Sequence, residues 1–273
     1  MYLEKIDVAS VCSNVGIAGN VEKEICNPKQ DAVLYITDDA ATAKRLRDEG
    51  EAVLVHLHPG NTDQDFSEFI FAVEKPEELD AEYVEKVWRR LKGLPWDILE
   101  TERLLVRETT VEDVDAFYDI YSEPSITEHM DNLYPDVEEE KQYVRDYIAK
   151  VYTFFEFGVW TVVEKESGAV IGRAGISYRE GFEEPELGFV IGVPWQGRGY
   201  AKEVCSAILD YARERLSFQE VQALVEPGNA VSLHLCAGLG LEVLEQVTIK
   251  GQEYVRLMWR AGKSGRTIPL KRD

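Results

Sequence analysis

The sequence predicts an α/β protein in two domains, and three observations predict it. Strand-length apolar runs alternate with amphipathic helical patterns from residue 31 onward. A stretch of Gly, Pro and polar residues, GLPWDILETE (93–102), interrupts that alternation. It divides a small accessory α/β domain of residues 1–97 from a larger domain over 101–260, with 261–273 as a basic tail. The length of 273 residues suits two modest domains at roughly 150 residues each.

Residues 1–30 carry few periodic apolar positions and include Gly16, Gly19, Asn27 and Pro28, which reads as a short helix or an irregular lead-in. AVLYIT (32–37) is a continuous apolar run of buried-strand length, with Asp38 and Asp39 at its carboxyl end. AATAKRLRDEG (40–50) then predicts a helix closed by Gly50, and EAVLVHLH (51–58) a second buried strand. FIFAVEK (69–75) is a third strand, and ELDAEYVEKVWRRLKG (78–93) an amphipathic helix that stops at another glycine. This order favours parallel pairing.

Beyond the break, RLLVRET (103–109) alternates as a strand, and TVEDVDAFYDIYS (110–122) is a helix capped by Thr110 with acids in its first turn. VEEEKQYVRDYIAKVYTFFE (137–156) predicts one long helix with Val137, Tyr143, Val144, Tyr147, Ile148 and Val151 on one face. Strands at 158–166, 169–180 and 185–194 follow, then a helix over 200–217, a strand over 220–226 and a helix over 230–239. The chain closes with a hairpin, 242–260, turning at Lys250-Gly251.

Hydrophobic residues make up 45% and charged ones 30%, enough apolar content for a buried core. Asp and Glu number 51 against 30 Lys and Arg, a net charge of -21 that argues against a nucleic-acid partner, because phosphate binding needs a basic face. The excess is -10 over residues 1–100 and -11 over 101–273, so no single tail holds it. Only the end runs the other way: Lys263, Arg266, Lys271 and Arg272 outnumber Asp273 in what reads as a loose, solvated terminus. Cys12, Cys26, Cys205 and Cys236 show neither C-x-x-C nor regular spacing, which predicts reduced thiols rather than disulfides or zinc. MYLEKIDVAS has early acids and no signal-length apolar run, and no window reaches 18 apolar residues, so the expectation is a soluble, cytoplasmic protein with no membrane partner.

The chemistry is concentrated in VIGVPWQGRGYAKEVCSAILDYARERL (190–216), where a strand runs through a glycine-rich turn into an amphipathic helix. A helix N-terminus presents unpaired N–H groups and a positive dipole end, and glycines let an anion approach the backbone closely. An ordinary strand-to-helix turn would look similar. The turn lacks the Gly-Lys-Ser/Thr of a P-loop and the G-x-G-x-x-G of a dinucleotide fold.

Gln-x-x-Gly-x-Ala at Gln196, Gly199 and Ala201 resembles the coenzyme A pyrophosphate loop of the GNAT N-acyltransferase superfamily. TERLLVRETTVEDVDAFYDIY (101–121) is similar to the first strand and helix of the subgroup that includes ribosomal-protein N-terminal acetyltransferases. ALVEPGNAVSLHLCAGLGLEVLEQ (223–246) resembles the late strand, the Asn-x-x-Ser helix start and the Leu-Gly-Phe stop of that fold, here Leu239-Gly240-Leu241.

The resemblance implies a mixed, splayed sheet flanked by helices, acetyl-CoA as co-substrate, no metal, and transfer to a small-molecule or peptide amine by direct attack in a ternary complex. It implies that Ile191 and Val193 offer backbone contacts to the pantetheine arm. The amides of Gly197, Arg198, Gly199, Tyr200 and Ala201 would hold the pyrophosphate, with Gln196 closing the turn. Asn229 and Ser232 would lie near the pantetheine or the adenosine phosphate, although helix capping explains both residues equally well. Glu186 stands where relatives place a base acting through water, and Glu226 is a second carboxylate for the proton or the ammonium. Cys236 occupies the position of the family's thiolate-protonating tyrosine, where a buried helix cysteine is the competing reading.

The stretch SEPSITEHMDNLYPDVEEEKQ (122–142) carries Glu123, Glu128, His129, Asp131, Tyr134, Asp136 and Glu138 to Glu140. Such an acidic, aromatic rim suits a cationic amine, and a solvated face would have the same composition. His129 and His234 stand alone in the sequence, and His56 and His58 lack a third ligand, so all four read as structural. A homodimer is left open. A non-catalytic acyl-CoA-binding sensor is the alternative from another functional class.

Residues 31–80, with the Asp38-Asp39 pair after a strand, resemble part of a haloacid-dehalogenase-type domain. That chemistry needs an Asp-x-Asp nucleophile at a strand end, and the one such triplet in this stretch, Asp63-Gln64-Asp65, falls in a polar loop. The resemblance therefore implies a degenerate accessory module rather than a magnesium phosphohydrolase.

Overall fold

The computed structural model describes residues 2–8 and 32–262. The lead-in reading of residues 9–30, the thiols of Cys12 and Cys26, and the basic tail from residue 263 lie outside the described residues. Two compact units divide between Trp96 and Asp97.

In the first unit a four-stranded sheet runs in the order β1 (Leu3–Asp7), β2 (Val33–Thr37), β3 (Ala52–His56) and β4 (Ala72–Val73). The last three strands are parallel and β1 is antiparallel to β2. Helix α1 (Ala40–Asp48) packs Ala43 and Leu46 on Val53 and Val55, whereas α2 (Ala81–Leu91) packs Val84, Val87 and Trp88 on Leu34, Ile36 and Leu54. Helices on both faces explain why the strands read as unbroken apolar runs. Asp39 caps α1 by accepting from Thr42 N–H at 2.8 Å, and Asp38 accepts from Tyr2 N–H at 2.5 Å and faces His58 Nε2 at 3.3 Å.

Two expectations fail here. Leu3–Asp7 is a strand and not part of a helical or irregular lead-in; as an edge strand with only Ile6 turned inward it leaves no alternating signal. The strand expected over 69–75 shrinks to Ala72–Val73, because the chain is still turning before it, with Phe69 N–H bonded back to Phe66 C=O at 2.9 Å, while Phe69 and Phe71 pack into the two core clusters.

The second unit is built on an eight-stranded sheet in the order β11-β12-β10-β9-β8-β7-β6-β5. Its strands are β5 (Asp97–Glu100), β6 (Leu104–Arg107), β7 (Val159–Glu164), β8 (Val170–Ser177), β9 (Glu186–Ile191), β10 (Glu220–Val225), β11 (Glu242–Ile249) and β12 (Gln252–Arg260). The stretch read as a domain break thus contains a strand, β5, which hairpins onto β6. All neighbours are antiparallel except β9 and β10, which are parallel and share a single register pair, Glu186 with Gln222.

Helix α3 (Val114–Tyr121) and the residues after it cover one face through Phe117, Ile120 and Ile126 against Val190. Helices α5 (Tyr200–Glu214) and α6 (Ala230–Gly238) cover the other, where Val204, Ile208 and Leu209 meet Leu187, Ile191, Val221 and Ala223. Between α3 and β7 lies α4 (Val137–Tyr147), which the sequence predicts to run unbroken to 156. It passes instead into a π-helical turn, Ile148–Tyr152. The wider turn breaks the 3.6-residue phase and brings Tyr152 inward, where its hydroxyl donates to Val159 C=O at 2.6 Å and accepts from Thr109 N–H at 3.1 Å.

Strand β8 approaches its neighbour where only glycine fits. A Cβ on Gly175 would stand 2.1 Å from Gly158 C=O and 2.6 Å from Val159 Cα. Gly175→Ala should therefore lower stability by about 1–3 kcal/mol, read as a shifted urea midpoint at constant slope. An unchanged midpoint would mean that β7 and β8 can part freely.

Candidate functional site

Strands β9 and β10 touch only at one end. Gln222 N–H donates to Pro185 C=O at 2.8 Å, and the buried Gln222 side chain is fixed by Glu184 C=O at 2.9 Å and Arg256 Nε at 2.7 Å. Beyond that pin no register pair follows, so the strands splay toward their carboxyl ends. Gly192 N–H bonds Ile171 C=O on β8 at 2.8 Å. By the alternation of an antiparallel ladder, Phe189 and Ile191 then turn their backbone groups toward the gap. One of those groups is already taken, since Gln196 Nε2 donates to Ile191 C=O at 2.8 Å.

After β9 a short 3-10 turn, Val193–Trp195, leads into the glycine turn. Gly197 at φ +71° and Gly199 at φ +85° are both left-handed, and residues 196–199 are exposed. Gly199 is the N-cap of α5, whose first N–H groups have no carbonyl one turn earlier to bond. Exposure, left-handed glycines and the start of a 15-residue helix together make a cradle for an anion.

The cradle is braced by residues that sequence reasoning missed. Arg103 Nη1 donates to Arg198 C=O at 3.0 Å, and its Nε donates to Glu203 at 2.7 Å. Its guanidinium lies 4.2 Å from the centre of the Tyr200 ring, with Arg198 at 5.0 Å from the same ring. Burial works against the charge on Glu203, yet hydrogen bonds from Thr101 and Arg103 hold its carboxyl below the usual range. The Tyr200 hydroxyl donates to Glu164, which also faces Arg198 at 3.6 Å. Two guanidinium groups thus stand beside the exposed amides, and the Tyr200 side chain is buried as a strut.

Side-chain alternation sorts the remaining residues by face. Leu187 and Ile191 of β9, and Val221, Ala223 and Val225 of β10, pack with α5. Glu186, Gly188, Val190, Leu224 and Glu226 therefore share the α3 face, one group on each side of the splay. Gly188 has no neighbour within 4 Å of a Cβ position, so the floor is open there. Glu186 takes two hydrogen bonds from Arg179, at 2.5 and 3.1 Å, and Glu226 meets His129 Nδ1 at 2.8 Å. His129 is accordingly not a lone histidine.

The aromatic wall is present as a ladder, Tyr134, Tyr143, Tyr147 and Tyr152, with successive ring centres 5.8, 6.1 and 5.3 Å apart. The acids beside it are partly committed. Asp136 caps α4, and the buried Glu140 accepts from Tyr134 N–H at 3.0 Å.

Asn229 caps α6, accepting from Ser232 N–H at 3.0 Å, which is the structural role open to both residues. Cys236 is fully enclosed beside Cys205, and burial pushes its thiol up to about 11. A side chain with no exposed surface cannot reach a departing thiolate, and the structure places Cys236 in the core. Among the described residues, no group of three or more His, Cys, Asp or Glu is arranged to hold a metal ion. Nor is any helix there long and apolar enough to cross a membrane.

A family model described as an acetyltransferase (GNAT) domain matches residues 103–242. The uncharacterized N-acetyltransferase p20 of Bacillus licheniformis is 30% identical over 152 residues, covering 54% of this chain and 83% of that protein. The [ribosomal protein uS5]-alanine N-acetyltransferase of Escherichia coli K12 is 29% identical over 153 residues, 53% of this chain and 77% of that protein. An acetyltransferase crystal structure from Agrobacterium tumefaciens superposes with a TM-score of 0.51 at 27% identity, covering 59% of this chain and 93% of that one. The family match begins at residue 103 and brings nothing to the haloacid-dehalogenase resemblance of residues 31–80.

Proposed function

This chain belongs to the GNAT acetyltransferase family, and on that premise we propose that it moves an acetyl group from acetyl-CoA to a primary amine, by direct attack in a ternary complex. The observation that carries the reading is the single-pair contact of β9 with β10, which opens a gap ending at the exposed glycine turn of α5. A long thioester with an anionic end fits that arrangement. The amides of residues 197–201 would hold the pyrophosphate, with Arg198 adding charge. Ile191 N–H and Val193 would pair with the pantetheine arm, while Gln196 keeps the turn closed on Ile191 C=O. Asn229 and Ser232 would line the same path at the start of α6.

When bound, acetyl-CoA supplies an activated carbonyl carbon and a thiolate leaving group. What the protein must add is a neutral amine in place and an acidic surface that draws it in. Glu186 stands at the pinned end of the splay and Glu226 toward its open end, both on the face covered by α3, where the amine would enter, and solvent protonates the thiolate. The E. coli relative's name specifies a ribosomal-protein alanine. We therefore place a peptide N-terminus first among acceptors, and a small cationic amine second. Residues from the first unit act as an accessory module.

Thiol release from acetyl-CoA, measured across alanine-starting peptides, serine-starting peptides and polyamines, should give saturable turnover with at least one. Saturable acetyl-CoA binding without release from any amine would overturn transfer and leave a binding module. Absence of binding would remove both.

A further inference from the structure

The two carboxylates of the splay have different partners, and the difference decides which can serve a proton transfer. Both oxygens of Glu186 are engaged by Arg179, a guanidinium that stays charged throughout the working range. A proton arriving at Glu186 would have to displace that pairing. Glu226 faces an imidazole instead, with its Oε2 2.8 Å from His129 Nδ1. A carboxylate only accepts, so Nδ1 carries the hydrogen, and in the neutral ring Nε2 keeps its lone pair. In this arrangement a carboxylate fixes the tautomer of an imidazole and stabilises the imidazolium that it becomes.

The pairing joins residues 97 positions apart, one on the segment that follows α3 and one just past the end of β10. The side chains are 25% and 20% exposed, open enough for an amine to reach the ring and enclosed enough to strengthen the pair. The ring is also located by the Gly228 turn, where a Cβ would lie 3.4 Å from His129 Cε1. Asp131, two residues on, lies within electrostatic reach of Arg179 on the other side of the splay. Glu226 faces the imidazole directly, Glu128 and Asp131 flank His129 in the sequence, and Asp131 in turn reaches the Arg179 that pairs with Glu186. Carboxylates dominate that set, so an amine arrives there as its ammonium and must lose a proton before it can attack.

We infer that His129 is the general base of the transfer, taking the acceptor's proton at Nε2, and that Glu226 is the positioning residue that holds its ring. The inference rests on the acetyl-transfer reading above. An N–H bond of the ammonium breaks, its proton goes to Nε2 and its electron pair stays on nitrogen. The neutral amine then forms a C–N bond to the thioester carbonyl carbon, and the C–S bond breaks with its electrons on sulfur. The second nitrogen proton reaches that sulfur through solvent. The products are an amide, the free thiol of coenzyme A and an imidazolium on Glu226, which gives its proton to water before the next turnover.

The test uses the full chain, with H129Q, H129A and E226Q, and the best acceptor of the amine panel. Acetyl-CoA affinity is read by calorimetry and kcat/KM by thiol release, from about pH 6 to about pH 9. Acetyl-CoA affinity should be unchanged in all three. H129Q should lose about a hundredfold in kcat/KM, with an acid limb that follows the amine's own titration. Added imidazole should restore part of the activity of H129A. E226Q should lose less, and the loss should fall on kcat and leave the acceptor KM as it was, because a freed ring still accepts the proton but is held less often in line with it. A merely structural histidine would lower the rate without moving the limb or responding to imidazole, and that result overturns the assignment. If H129Q keeps the wild-type rate and profile while the wild type transfers acetyl, His129 is not the base and the transfer reading stands. If the wild type transfers to no amine, the reading fails and this inference falls with it.

Discussion

Gly199→Val should weaken acetyl-CoA binding at least about a hundredfold, or about 2.7 kcal/mol, with the fold retained. Two effects add. The residue sits at φ +85° as the N-cap of α5, and a β-branched side chain in that left-handed region costs about 1–2 kcal/mol. Relief of that strain rotates the first amides of the helix away from a common target. The new Cβ also stands on the exposed turn, 3.5 Å from Arg103 Nη2, where a phosphate must approach the backbone. Gly251→Val separates the two effects. Gly251 has φ +86° in the β11–β12 turn, so it carries the same backbone strain away from the splay. Calorimetry should find acetyl-CoA affinity lost in the first variant and intact in the second. Equal affinity in both would show that the glycine turn is not the anion site.

The parts of the site that could be read in advance are those whose residues are contiguous. The strand, the glycine turn and the amphipathic helix follow one another over residues 186–214, so their chemistry lies in one stretch of sequence. The braces do not. Arg103 reaches Arg198 and Glu203 from 95 and 100 residues away, and Tyr200 reaches Glu164 across 36. Nothing local to Arg103 marks it as anything but the polar start of a strand. His129 and Glu226 make the same point more sharply. Read singly, one is a lone histidine and the other a carboxylate at a strand end; together they are an oriented imidazole. Secondary structure follows the same rule. The doubly covered strands of the first unit were legible as apolar runs, whereas β1 and β5 are short, half-buried or exposed, and fall below any periodic signal. The π turn after α4 is invisible because the apolar residues keep a helical spacing until the extra residue shifts their phase.

Asp113→Ala should cost about 3–5 kcal/mol of folding stability, and the cost should depend on pH. Asp113 is 4% exposed and accepts from Arg107 Nη1 and Nη2 at 2.8 and 2.7 Å, from Thr110 N–H at 2.9 Å and from Thr161 Oγ1 at 2.9 Å. These bonds join β6, β7 and the start of α3, the helix that covers the acceptor face. Removing the carboxylate strands Arg107, itself largely enclosed, without its charge partner. Burial opposes the Asp113 charge, but the hydrogen bonds from Arg107, Thr110 and Thr161 outweigh it and leave the carboxyl below its ordinary value of 3.8. A group depressed in the folded state contributes stability above its unfolded value and loses it as pH falls through the folded one. The difference between wild type and variant, from urea midpoints, should therefore be full near neutrality and shrink as pH drops below about 4. A difference that stays constant down to acid pH would assign the loss to packing alone. Because α3 is anchored by the same bonds, the variant should also bind the acceptor more weakly while the glycine turn at the start of α5, which these bonds do not touch, holds acetyl-CoA as before, a split in KM that the thiol-release assay reads directly.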